Sequence, residues 1–512
     1  MKEERDNKNN SSDVISTHIF IFPFRLKSKR PKPPNVSLKE LKESLEKSGE
    51  WKQKSFDFKY GEENAHIKYN EWFYFHDAVR ETLFGKRTIL YFERRDVSED
   101  SNFILYIKKN EGEDIKYELQ INHISLRLIE NDTGILTIEL KNKNYPSPDD
   151  ILIINDFGRR IYPQFIGKQG VEDTKRAFLP NKIELKLGDN KISSEEFRTE
   201  DCLKKEIRIA NYIGDLIKGL IKYVSDKDID IIPIIDDRMF VVCWYGNDEL
   251  SKKLSSKING NRYLYELDDW WYKYIYVDGK DKGVSNENMK VELIKEATYD
   301  RWVDYNTLYG ISRYSFVCIT DRGDFGKKVI KTHMETIYYQ MVILLLAQRA
   351  LLLKFSDDIT RISEDIKDEN IKDSFKQGIN KVLEDVEKLY SSFIRFEAMI
   401  HFVEVTPQEQ GIEMYNMAYK NMRVGEMAEK IRYEIEKIHE FVQLKDAQRR
   451  ESEIFVLEFI GVVLAVISVV LPVISIIPSI IWKIIILIIT IIALLICHQP
   501  LFSFIKFIRG RK

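Results

Sequence analysis

The sequence predicts an α+β (α/β) cytosolic domain followed by long stalk helices and a C-terminal two-helix transmembrane hairpin. Three observations lead there. Residues 51–293 carry short runs of β-branched and aromatic residues bounded by Asn, Asp and Gly, the signature of strands and turns. After residue 355 charged sequence carries apolar residues at three- and four-residue spacing, the signature of amphipathic helices. Residues 459–497 are apolar except for Lys483, and a spanning helix needs about 20 such residues, so the stretch is roughly two spans long.

In chain order, residues 17–24 (THIFIFPF) read as a strand, followed by the basic, proline-bearing RLKSKRPKPPNV as a solvated linker. Leu38, Leu41 and Leu45 give residues 37–48 a helical face. Strands are expected in RTILYFER, FILYIKK, IKYELQINHISLRLIE, GILTIELK and ILIINDF, then at residues 229–235, 240–245 and 274–277, with an amphipathic helix at residues 206–225. Residues 335–355 resemble a membrane span in apolar content, but Gln340, Gln348 and Arg349 within them favour a buried helix of a folded domain.

Pro407 and Gly411 punctuate the helical region, and from Ile412 a proline-free helix is expected to run towards the hairpin. Val424, Ala428, Ile431, Ile435, Ile438 and Val442 form a heptad seam along it. Further on, Gly461, Ser468 and Ser475 recur every seven residues, with Ala465, Pro472 and Ser479 at the intermediate steps. Such a stripe lines a pore, because small and hydroxyl side chains tolerate water, or it packs helices closely; both readings stand. A pore made of two-helix hairpins requires several copies of the chain.

Composition narrows the function. The net charge of -2 arises from 79 basic and 81 acidic residues interspersed, which argues against a nucleic-acid-binding surface. The 4 cysteines lack zinc-site spacing and fit a reducing compartment. The first residues hold no apolar segment of a signal peptide, so insertion is expected to rest on the hairpin. Lys445, Arg449 and Arg450 before the hairpin, and Lys506, Arg509, Arg511 and Lys512 after it, place both flanks on the cytoplasmic side. No phosphate-loop, nucleophile-elbow or zinc-protease motif is present, and the chain is not expected to be an enzyme.

Two groups of residues invite a ligand. ILIINDFGRR reads as an apolar strand, a Gly turn and two guanidinium groups, Arg159 and Arg160, whose planar forks suit a phosphate. YNEWFYFHDAVRETLF sets aromatic residues around Glu71, His76, Asp77 and Arg80, and YFERRDV adds Arg94 and Arg95. Aromatic residues at such spacing, like Trp270 and Trp271 in DDWWYKYIYVDG, are more often core than a stacking box.

A stalk helix running into the first of two membrane helices, a short outer loop, a second helix and a basic tail together resemble the CorA-like family of cation channels over residues 335–512. Members of that family are pentamers with an α/β cytosolic domain, and their magnesium transporters carry Gly-Met-Asn at the outer end of the first membrane helix. Here SIIPSIIWK stands in that place. A chain without that motif and with an enlarged cytosolic domain is most similar to the CRISPR-associated (type III) CorA-like membrane effectors. Those respond to a nucleotide second messenger that joins S-adenosylmethionine to AMP.

The resemblance implies a ligand-gated antiviral effector that opens a pore or disrupts the membrane. Its ligand-binding residues would be the Arg159–Arg160 pair and an acidic position best matched by Asp236 and Asp237 in IIPIIDDRMFVVCWYGN. Gly461, Ser468, Pro472, Ser475 and Ser479 would line the pore. The expected partners are the lipid bilayer, the messenger and further copies of the chain as a pentamer, with no direct nucleic acid, in the cell inner membrane as a multi-pass protein with both ends cytoplasmic. No cofactor is expected. The alternative is a magnesium-type divalent-cation channel or transporter with a divergent filter, in which magnesium is permeant or regulatory. The expected divisions are an N-terminal strand and linker (1–50), a sensing domain (51–333), a helical domain (334–411), a stalk (412–458), the hairpin (459–497) and the tail (498–512).

Overall fold

The computed structural model describes residues 13–28, 38–62, 64–85, 87–109, 113–129, 133–162, 179–188, 191–198, 209–222, 229–258, 262–280, 283–367 and 375–476, with a few isolated positions besides. It is a mixed α/β structure in two units: Met1–Arg361 with Ser391–Glu434, and Ile362–Tyr390 with Ile435–Lys512.

The first unit is built on a 13-stranded sheet. In chain order its elements begin with β1 (Ser16–Ser28), α1 (Leu38–Ser48), β2 (Trp51–Gln53), α2 (Ala65–Phe73), α3 (Asp77–Phe84), β3 (Ile89–Arg94), β4 (Asn102–Ile107), β5 (Ile115–Ile129) and β6 (Thr133–Asn142). Next come α4 (Pro148–Gly158), β7 (Lys182–Leu187), β8 (Lys191–Glu196), α5 (Asn211–Lys222), β9 (Ile229–Pro233), β10 (Phe240–Gly246), α6 (Asp248–Leu254), α7 (Asp269–Tyr276) and α8 (Glu287–Ala297). The remaining elements are β11 (Thr298–Tyr299), β12 (Leu308–Ile311), β13 (Ser315–Thr320), α9 (Lys331–Glu335), α10 (Ile337–Lys367), α11 (Phe375–Met399), α12 (Glu409–Asn421) and α13 (Val424–Ile476).

The strand order is β11-β12-β13-β10-β1-β6-β5-β4-β7-β8, with β2 on β3, β3 also on β5, and β9 on β1. Every pairing is antiparallel except β10 with β13. Residues 16–28 hold the centre because both faces of the strand are buried. Phe20, Phe22 and Phe24 join Ile151, Ile154 and Leu216 in the main core, each worth about 2 to 3 kcal/mol of burial. Strand alternation divides the faces: on β5, Leu126 and Leu128 enter that core, while Ser125 and Arg127 turn to the other side and meet Tyr339 of α10.

Pro23 gives β1 two partners along one edge. Residues 16–21 pair with β10 and residues 24–28 with β9. In a strand the N–H and C=O of a residue point the same way; the Pro23 carbonyl accepts from Ile234 N at 3.4 Å, so its missing N–H lies on this edge. The ladder therefore breaks there, and residues 234–239 leave the sheet between β9 and β10.

Several expectations are corrected. ILIINDF is the helix α4 rather than a strand. Ser147 is extended ahead of it, Pro148 opens it, and Asp149 and Asp150 occupy its first turn, a set of helix-start signals. Burial of Ile151, Leu152, Ile154, Asn155, Asp156 and Phe157 around nearly the whole circumference hides the helical period. Residues 274–277 likewise close the helix α7 instead of forming a strand. The helix expected from Ile412 is two helices, α12 and α13, broken where Arg423 takes φ 57. Of the heptad positions on α13, Val424, Ala428, Ile431, Ile435 and Val442 are buried and Ile438 is half-buried.

The inner-membrane, multi-pass location is overturned. Among the described residues one stretch, Gly326–Glu364, is long and apolar enough to cross a membrane, and 89% of its apolar window is buried inside the protein. It is a core helix, as Gln340, Gln348 and Arg349 suggested: Gln340 bonds to Glu71 and Arg127, and Gln348 donates to Ile400 O at 2.9 Å. The expected hairpin is not shown; α13 ends at Ile476, and most of residues 477–512 lie outside the described residues.

In the second unit Tyr390 stacks on His439 at 4.4 Å, and Arg450 pairs with Asp446 at 2.7 Å. Val386, Leu389 and Val442 are buried there, whereas Phe455, Leu457, Val462, Leu464 and Val469 are exposed.

Candidate functional site

The strand break opposite Pro23 creates the site. Residues 234–239, released from the ladder, run past the end of α4. Arg160 and Arg238 form an isolated antiparallel bridge, and Met239 N donates to Arg159 O at 2.8 Å. Gly158, immediately before, lets α4 approach β1, since a Cβ there would lie 2.7 Å from the Phe20 ring. The Arg pair is thus fixed at a helix C-terminus pressed onto the central strand.

The four residues expected from the sequence come together, with different duties. Arg160 is engaged with Asp156: its Nη2 meets Oδ1 at 2.6 Å and its Nε donates to the Asp156 carbonyl at 3.1 Å. Arg159 is 2% exposed and donates one bond, Nη2 to Val277 O at 2.7 Å. Nη2 also lies 3.6 Å from Asp156 Oδ1, while Nε and Nη1 are buried with no hydrogen-bond partner among the described residues. Val277 sits at φ 54, a left-handed conformation costly for a β-branched residue, and it presents that carbonyl. Burial, with Arg160 beside it, pulls the Arg159 guanidinium down to about 10.

Asp236 faces Arg159 across a cavity of about 20 Å³, lined also by Pro23, Arg238, Met239, Arg313, Tyr314 and Leu346. Arg238 grips Asp236 with two bonds, 3.2 and 2.8 Å, approaches Asp237 at 3.8 Å, and lies over the Tyr314 ring at 5.0 Å. Burial alone would raise the Asp236 carboxyl; its bonds with Asp237 and Arg238 outweigh that and hold it below the usual range.

Sequence reasoning missed three participants. Arg238 follows the Asp pair directly and was the legible signal. Arg313 is exposed at the SRY turn, and Arg349 of α10 donates to its carbonyl at 3.4 Å. Arg349 keeps a buried Nε without a partner among the described residues, and burial with Arg313 nearby lowers its guanidinium to about 10. Arg159, Arg160, Arg238, Arg313 and Arg349 thus outnumber Asp156, Asp236 and Asp237. The arrangement can take an anion: two guanidinium groups retain free donors in a low-dielectric setting, where a charge-assisted bond is strongest.

Of the residues expected to line a pore, Gly461 and Ser468 are exposed positions of α13, and the Ser468 hydroxyl donates back to Ala465 O at 2.7 Å. A Cβ at Gly461 would meet open space. Pro472 and Ser475 fall within α13, and Ser479 lies outside the described residues. Of the aromatic candidates, Arg94 pairs with Glu50 and Asp96 over Trp51, and Trp271 is core.

Compared with known proteins, the chain matches no family model, no curated protein and no solved structure.

Proposed function

We propose that this chain is a sensor of a phosphate-bearing nucleotide ligand, bound where Arg159, Arg238 and Arg313 converge on Asp236. The observation that carries the reading is the pair of unpartnered donors on buried Arg159. A buried cation with two unmet N–H groups is destabilising by several kcal/mol, and an anionic ligand oxygen removes that deficit. The arginine forks take the phosphate, and the ionised Asp236 accepts from a ribose hydroxyl or an amino group.

The resting cavity has room for about one water, so the ligand enters at the mouth, where Arg313 is exposed and Arg238 rests on Tyr314. Residues 234–239 lie outside the ladder and are the segment free to re-seat around it. Binding then selects one placement of that loop, a population shift and not catalysis. The resemblance to type III CRISPR effectors makes the S-adenosylmethionine–AMP conjugate the first ligand to test, as a messenger of antiviral defence.

The test is calorimetric titration of the full chain with the conjugate, AMP, S-adenosylmethionine and inorganic phosphate. Saturable binding of a phosphate-bearing ligand that disappears in Arg159→Met and weakens in Asp236→Asn is expected. Absence of binding by all four, or unchanged affinity in Arg159→Met, overturns the reading.

A further inference from the structure

A second, larger cavity of about 230 Å³ opens in the first unit between α2, β3, β5 and α10. Its volume corresponds to roughly eight waters of bulk liquid. Most charges around it are already matched. His123 meets Glu139 at 2.9 Å, Lys54 meets Glu93 at 2.9 Å, and Lys331 meets Glu335 at 2.9 Å.

Lys68 and Asp57 line it as exposed residues, and two charged groups buried in its wall have no ion-pair partner among the described residues. Arg127 is 3% exposed and lies between the rings of Tyr91 and Tyr339, at 4.7 and 5.1 Å. Its Nη1 donates to Tyr339 OH at 2.6 Å and its Nη2 to Gln340 Oε1 at 3.1 Å; its Nε is buried without a partner, and no carboxylate of the described residues pairs with it. Glu71 is 7% exposed, and its one hydrogen-bond partner among the described residues is the Gln340 amide, Nε2 to Oε1 at 2.7 Å. Gln340 thus holds a guanidinium by its oxygen and a carboxyl by its nitrogen, keeping the opposite charges apart instead of letting them neutralise each other.

We propose that this cavity binds a small zwitterion, an α-amino acid, with its carboxylate on Arg127 and its ammonium on Glu71. Each buried charge then gains an ion-pair partner, and the ligand carries no net charge into the site. Phe56, Phe84 and Tyr91 on the same wall offer an apolar side of the cavity to a hydrophobic ligand side chain. Phe56 and Phe84 are stacked at 4.1 Å, so that wall is already formed. Burial holds the Glu71 carboxyl up at about 7, and an arriving ammonium favours its ionised form.

The test is titration calorimetry and thermal unfolding of the full chain with each of the standard amino acids at millimolar concentration, followed by the N-acetyl and methyl ester forms of any that bind. The expected result is saturable binding of at least one apolar amino acid, weakened about tenfold or more by either blocking group, because each removes one charge-assisted contact. Glu71→Gln, which keeps shape and hydrogen bonding, is expected to weaken the free amino acid while leaving the N-acetyl form unchanged. Should Arg127→Met fail to fold, Glu71→Gln alone carries the test. Binding of no amino acid, blocked forms that bind as tightly as the free amino acid, or unchanged affinity in Glu71→Gln overturns the proposal. Since Arg159 lies outside this cavity, Arg159→Met leaves amino-acid binding intact.

Discussion

The Arg159 cluster and the Glu71 cavity are served by the same helix, yet they solve opposite problems. α10 gives Leu346 and Arg349 to the first and Tyr339 and Gln340 to the second. Around Arg159 positive charge accumulates with almost no room; around Glu71 there is room, with a buried cation and a buried carboxyl held apart by an amide. Excess charge in a closed space selects a strong anion and requires movement. Balanced charge in an open space selects a dipolar guest and requires none.

The largest expected effect that sharpens this contrast is a split between binding and stability in Arg159→Met. Losing two charge-assisted donors is expected to weaken anion binding by about 4 kcal/mol, roughly a thousandfold. Stability in urea is expected to hold or rise, because a buried and poorly matched cation has given way to an apolar side chain of similar length. A matched loss of stability would mean that Arg159 is a structural ion.

Next in size are two pH dependences of opposite sign. His18 is buried against Asn155 of α4 at 2.7 Å, and burial holds its imidazole down at about 4. Between pH 4 and 6.5 the unfolded chain binds the proton that the folded one refuses. This contribution to stability is therefore full above 6.5 and falls by up to about 3 kcal/mol as the pH drops to 4. For Glu71, raised from 4.5 to about 7, the folded state holds the extra proton. Its contribution is full below 4.5 and falls by up to about 3 kcal/mol as the pH rises through 7. Unfolding free energies across pH 4 to 8 are expected to lose the acid-side slope in His18→Gln and the neutral-side slope in Glu71→Gln. Retention of either slope would place the titration elsewhere.

The smallest effect concerns the mouth of the first site. Tyr314→Leu removes the ring beneath Arg238 and is expected to change anion affinity by about 1 kcal/mol, read as an approximately fivefold shift in dissociation constant.

The sequence made the central strand legible, because THIFIFPF is a period-two apolar run with a proline placed where a ladder can end. It made α10 legible as a buried helix because a lipid-facing span would not carry Gln340, Gln348 and Arg349, and each of these now has a visible use. Residues 151–157 were misread because burial on nearly all sides removes the polar stripe that betrays a helix; the Ser-Pro-Asp-Asp start was the better guide. The Arg pair and the Asp pair stood out as residue types, but their meeting depends on a strand break more than seventy residues from Arg160. Arg349 lies farther still along the chain, beyond the reach of any local pattern. The membrane location was read from residues 459–497, of which the first part is the exposed end of α13 and most of the rest lies outside the described residues, whereas the one described stretch long and apolar enough to cross a membrane is buried.

Pro23 has a consequence for how the chain is made. The strand that carries it is translated well before one of its partners: Ile21 pairs with Phe240, more than two hundred positions later. At roughly 5 to 20 residues per second, the ribosome needs on the order of ten to forty seconds to deliver that partner. During that interval three phenylalanines on a strand with open edges are exposed to aggregation. Pro23 denies one hydrogen-bonding position to any passing strand, so the residue that later divides β9 from β10 also acts as a guard on the nascent chain.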